Sequence, residues 1–112
     1  LGRSTENLKD GGPPKSYRKA FGIDPTDLAA WKTVGREVSP VFHVSRSLPP
    51  VLIAHGDADT LTPLEQSEWF QASARAVGRE VIIEVHRGGK HGWRTMPWDI
   101  RRFGAWFDQH LR

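Results

Sequence analysis

The chain has 112 residues, room for one small domain with a modest core, and its 38% hydrophobic and 26% charged residues exclude a disordered polymer. The formal net charge of +3 comes from scattered basic residues, with short runs only at Arg101-Arg102 and around Arg87 and Lys90. No basic stripe interleaves with aromatics, which speaks against nucleic-acid binding. Cysteine is absent, excluding disulfides and cysteine zinc sites, and no apolar run approaches the ~18–20 residues that span a bilayer.

The chain opens Leu1-Gly2-Arg3-Ser4, without Met or a signal-peptide pattern, and this start reads as an internal cut point. Residues 1 to about 15 are polar, contain Gly11-Gly12-Pro13-Pro14 and read as a loop. Ser16 to Phe21 predicts a short helix stopped by Gly22. Asp24 or Thr26 is expected to cap a second helix through Leu28, Ala29, Ala30 and Trp31, with Ser39-Pro40 ending that region. Trp31 and Phe21 are expected to pack in the core, the other role open to them being a cap over a site. Residues 1–48 thus read as loop and short helices, a cap or connector region.

Residues 49–112 read as a βαβα unit. Val51-Leu52-Ile53-Ala54 is a continuous apolar run that suits a strand buried on both faces of a parallel sheet. Thr62 then fits an N-cap, Pro63 the first helical position and Glu65 a capping box. Leu64, Phe70, Ala74 and Val77 share a face of this helix, and Gly78 ends it. Arg79 to His86 predicts a second strand, with Val81, Ile83 and Val85 on one face and Ile82 on the other. Pro97 opens a last helix whose stripe of Ile100, Phe103, Phe107 and Leu111 is expected to be core, with Arg101, Arg102 and Arg112 on a solvated face. Strand, helix, strand, helix at these spacings implies parallel neighbours with right-handed crossovers. Two strands with open edges make a poor sheet, so the chain is expected to pair with an N-terminal half, a second copy or a swapped neighbour.

Two loops carry the chemistry, because each follows the C-terminal end of a predicted parallel strand, where open α/β sheets bind ligands. The first, Gly56 to Leu61, offers Asp57 and Asp59; the second, Gly88 to Gly92, offers His91 between glycines that let the loop bend. A carboxylate beside the imidazole would hold its tautomer and stabilise its protonated form, and the imidazole would deprotonate a serine hydroxyl. Asp57 reads as a brace for the turn or for the second loop. His55 reads as a satisfied core histidine, and His43, His86 and His110 as surface or packing residues. No His-x-x-x-His or His-x-Glu spacing appears, so no metal is expected.

His55-Gly56-Asp57-Ala58-Asp59-Thr60-Leu61-Thr62-Pro63 resembles the H-G-x-x-D-x-x-V-P acid loop of α/β-hydrolases of the esterase/lipase and prolyl-oligopeptidase-like kinds. Gly88-Gly89-Lys90-His91-Gly92 resembles their G-G-x-H-G loop, and Ser39-Pro40-Val41-Phe42-His43-Val44 the S-P-x-x-x-V segment of small acyl esterases, including feruloyl- and acetyl-xylan-type esterases. The motifs run in family order over roughly residues 16–112. The resemblance implies an α/β fold, the C-terminal part of an α/β-hydrolase parallel sheet that is incomplete without its N-terminal half. It implies Asp59 as triad acid and His91 as triad histidine, a small-molecule ester as substrate, and no cofactor. Leu61 and Trp93 are candidates for the substrate pocket, Trp93 equally for packing the last helix.

Thr62 stands where the family usually has Val, and Lys90 where it often has Gly. No G-x-S-x-G occurs, so the resemblance places the nucleophile and the oxyanion hole outside this chain, which would be inactive alone. Three other readings stand beside the esterase: a serine peptidase of the prolyl-oligopeptidase type, a catalytically inactive α/β-hydrolase-like binding domain, and a complete small α/β binding module.

Overall fold

A computed structural model describes residues 3–111. The first two residues, Leu1 and Gly2, and the last, Arg112, with the expectations that fall on them, lie outside the described residues. Helix α1, Tyr17–Ala20, closes when the Phe21 N–H donates to the Tyr17 carbonyl, and Gly22 turns the chain away at φ +62°. Helix α2, Leu28–Val38, is capped by Asp27, whose carboxylate accepts the Ala30 N–H at 3.0 Å. This corrects the expected cap at Asp24 or Thr26. Those two residues are spent on each other one turn earlier, where Asp24 Oδ1 accepts both the Thr26 N–H and its hydroxyl. Trp31 is the buried residue of α2; its ring N–H donates to the Asp24 carbonyl at 3.0 Å and its ring meets that of Phe21 in a T-shaped contact. Ser39 ends α2 and a 3-10 turn, Pro40–His43, follows.

Strand β1, Val51–Gly56, pairs in parallel with β2, Val81–His86, in the register Val51↔Val81 to Gly56↔His86. Helix α3, Glu65–Ala76, connects them and packs on β2, with Ala74 and Val81 buried and the Gln71 amide donating to the Val81 carbonyl. Of the face expected on α3, Ala74 is fully buried and Leu64, Phe70 and Val77 are half-buried. Gly78 stops the helix at φ +74°, a left-handed conformation that costs glycine little.

Three expectations need correction. Thr62 does not cap α3: Leu64 holds that position without a side-chain bond, and the Thr62 hydroxyl turns back to Asp59. Glu65 pairs with Arg3 instead of closing a capping box. Strand β1 is not buried on both faces; Val51 to His55 are half-buried, because among the described residues the sheet has two strands and one edge of β1 meets no neighbour.

A further correction concerns helix α4, Met96–His110. Its apolar stripe is not core: Ile100, Phe107 and Leu111 are 58%, 52% and 79% exposed, and Phe103 is half-buried. The helical spacing is as expected, but no described element lies across that face. The polar side is engaged, with Arg102 bridging Glu84 of β2 and Asp99, and Arg101 over the Trp98 ring. No helix among the described residues is long and apolar enough to cross a membrane.

Candidate active site

Asp59 and His91 come from loops that leave the same end of neighbouring parallel strands, so strand pairing alone brings them close. Backbone contacts then lock the loops together. The Ala58 N–H donates to the Gly89 carbonyl at 2.9 Å, and the Asp57 N–H to the His86 carbonyl at 3.2 Å. The approach is so close that a Cβ on Gly56 would stand 2.1 Å from the Gly89 oxygen. Asp57 plays the bracing part expected of it, its Oδ1 accepting the Gly88 N–H at 2.7 Å.

Within this frame His91 Nδ1 lies 2.9 Å from Asp59 Oδ2. An ionised carboxylate only accepts, so these partners assign the proton to Nδ1 and leave the Nε2 lone pair available. The exposures of the two side chains differ sharply, 5% for Asp59 and 61% for His91. Asp59 Oδ1 accepts the N–H groups of Leu61 and Thr62, both at 2.9 Å, and Oδ2 also accepts the Thr62 hydroxyl at 2.9 Å. Burial raises the proton affinity of Asp59, but the bonds from the Thr62 N–H, His91, the Thr62 hydroxyl and the Leu61 N–H outweigh it. The carboxyl is held below its ordinary value.

His55 sits behind this pair, 3.6 Å from Asp59 Oδ2, too far for a hydrogen bond. Its ring is satisfied elsewhere: Nε2 donates to the Thr62 carbonyl and Nδ1 accepts the Ser67 hydroxyl, both at 2.7 Å. The N-terminal segment buttresses the same loop, the Ser4 hydroxyl donating to the Leu61 carbonyl and the Thr5 N–H to the Thr60 carbonyl. Leu61 is thus tied through both backbone groups. Trp93 stacks on His86 with ring centroids 4.6 Å apart, and its ring N–H donates to Asp99 at 2.6 Å at the start of α4.

An apolar cleft of about 1080 Å³ opens between α2 and α3, lined by Tyr17, Trp31, Phe42, Ile53 and Phe70 with His55 and Ser67. Asp59, His91, Leu61 and Trp93 do not line it. Sequence reading missed Thr62 and Ser67 as polar partners and Gly56 as the contact point of the loops. A glycine at the last position of a strand is the signal that marked Gly56.

Residues 15–73, more than half of the chain, match the model of the BD-FAE family. Esterase LipC of Mycobacterium tuberculosis is 41% identical over 62 residues, which cover 54% of this chain and 15% of LipC. The uncharacterized peptidase YuxL of Bacillus subtilis is 28% identical over 79 residues, 65% of this chain and 12% of YuxL. Among solved structures, a truncated carbohydrate esterase from gut microbiota superposes with a TM-score of 0.63 at 26% identity, over 82% of this chain and 32% of that one. The chain therefore spans a small part of the length of each.

Proposed function

Because the chain belongs to the BD-FAE family and folds as part of an α/β-hydrolase of the esterase kind, we propose that it contributes Asp59 and His91 to a Ser-Asp-His triad that hydrolyses carboxylic esters. The observation that carries this reading is the 2.9 Å contact of His91 Nδ1 with a buried carboxylate whose other oxygen is held by two backbone N–H groups. In this reading the serine and the oxyanion donors come from outside these 112 residues, which contain no G-x-S-x-G. The serine hydroxyl attacks the acyl carbonyl while His91 Nε2 takes its proton, and His91 returns that proton to the departing alcohol oxygen. Water then attacks the acyl-enzyme with His91 again as base, releasing the acid and the free serine. Asp59 keeps its charge throughout, fixing the tautomer and stabilising the imidazolium. Leu61 and Trp93, which flank Asp59 and His91 along the chain, are assigned to the wall of the ester pocket. The cycle calls for no cofactor.

The test compares the chain alone with the chain joined to an N-terminal half bearing a G-x-S-x-G segment, on short-chain aryl esters. Turnover is expected only in the joined form, with His91→Ala and Asp59→Asn each lowering kcat by about 10³-fold or more. Turnover by the lone chain that persists in His91→Ala defeats the proposal. The similarity to YuxL supports a second reading, a serine peptidase using the same pair. Preferential cleavage of peptides over aryl esters by the joined form would select it.

A further inference from the structure

The Asp59–His91 contact has a third participant. Thr62 Oγ1 is 2.9 Å from Asp59 Oδ2 and 3.3 Å from His91 Nδ1, so the three atoms form a triangle with nearly equal sides. Donors seated on the two in-plane lone pairs of a carboxylate oxygen would stand about 5 Å apart. At 3.3 Å the hydroxyl and the imidazole crowd one side of Oδ2 and draw on the same electron density. We propose that Thr62 is a positioning residue for the histidine: its hydroxyl pins the Asp59 carboxylate in one rotation and competes with His91 for Oδ2, limiting how firmly that oxygen holds the imidazolium.

Two opposite effects of the hydroxyl must be weighed. As a donor to Oδ2 it weakens the carboxylate as partner for His91. As an acceptor, at 3.3 Å, it adds a bond to the Nδ1 proton. The donor role wins, because a bond to an ionised acceptor is roughly twice as strong as a neutral one and 3.3 Å is long for the neutral bond. The other groups facing this point do not replace the hydroxyl. His55, on β1, has both ring nitrogens engaged, with Nε2 given to the Thr62 carbonyl. The first turn of α3 brings Glu65, which is paired with Arg3 of the N-terminal segment, and Lys90 precedes His91 in its own loop. The backbone N–H of Thr62 also holds Asp59 Oδ1, and side-chain replacement leaves that bond in place.

The inference deepens the triad reading, and its first measurement does not require activity. The His91 ring is titrated by NMR in the full chain as wild type, Thr62→Val and Thr62→Ser. Valine keeps the shape and removes the hydroxyl; serine keeps the hydroxyl. The midpoint of His91 is expected to rise by about 0.5 pH unit in Thr62→Val, a roughly threefold gain in proton affinity, and to stay at the wild-type value in Thr62→Ser. Thr62→Ala supplies the same loss of hydroxyl should valine disturb the loop. In the joined, active form the acid limb of the kcat/KM profile should move by the same amount and in the same direction. An unchanged or lowered midpoint in both hydroxyl-free variants, or an equal shift in Thr62→Ser, overturns the inference. A raised midpoint in a joined form that hydrolyses no ester removes the esterase reading and leaves the role of Thr62 standing.

Discussion

Asp59 is the residue on which the site turns, and its environment makes a claim about acid stability. Its folded proton affinity is depressed, with hydrogen bonds outweighing burial. Such a group contributes stability above the unfolded carboxylate value of about 3.9 and loses it as pH falls through the lower folded value. Denaturant unfolding at a series of pH values should therefore show a flatter loss of stability below about pH 4 in Asp59→Asn than in wild type. An equally steep loss in both would mean that another carboxylate carries the acid response. At this scale the sequence was legible for the meeting of Asp59 with His91 and for the brace at Asp57, because each belongs to a short loop between recognisable elements. It was not legible for Thr62. A threonine ahead of Pro63 satisfies every local rule for a helix cap, and only the fold shows that its hydroxyl has a better acceptor three residues upstream.

Among the elements, the parallel strands and α3 were readable from apolar runs and from Gly78. Their boundaries followed local chemistry that several neighbouring residues could have supplied. Asp24, Thr26 and Asp27 are all competent caps; the Asx turn at Asp24 leaves Asp27 to start α2. The junction of β1 with the acid loop gives a sharper prediction. A methyl on Gly56 collides with backbone of the neighbouring loop, whereas one on Gly78 meets nothing within 4 Å and strains only the φ of +74°. Gly78→Ala should therefore cost about 1 kcal/mol. Gly56→Ala should cost at least about 1–3 kcal/mol and also lengthen the Asp59–His91 contact. Thermal melts rank the two, and the His91 titration reports the contact. Equal costs with an unshifted His91 would mean that the loops are not held by this junction.

The whole molecule departs furthest from expectation at α4. Its periodicity was plain in the sequence, but periodicity states which side is apolar and not what covers it. Ile100, Phe107 and Leu111 face solvent in the chain as described, and Ile82 and Val85 of β2 are exposed as well. Burial of such side chains contributes ~1.5–3 kcal/mol each, so the free chain is expected to associate, with a second copy or with an added N-terminal half. Sedimentation velocity across a dilution series should show assembly that Ile100→Asp with Phe107→Asp abolishes. A wild-type chain that stays a folded monomer at all concentrations would refute this.

The main-chain fastening between residues 56–58 and 86–89 has a bearing on how such a chain diversifies. Ala58 gives only its amide and Gly89 only its carbonyl to that fastening, so the identity of the side chain at residue 58 is free to vary without separating acid from base. A library randomised at Ala58, Thr60, Arg87 and Lys90 should keep the pair intact in most members while altering what the surrounding surface selects, making these four positions the natural dials for changing preference in place.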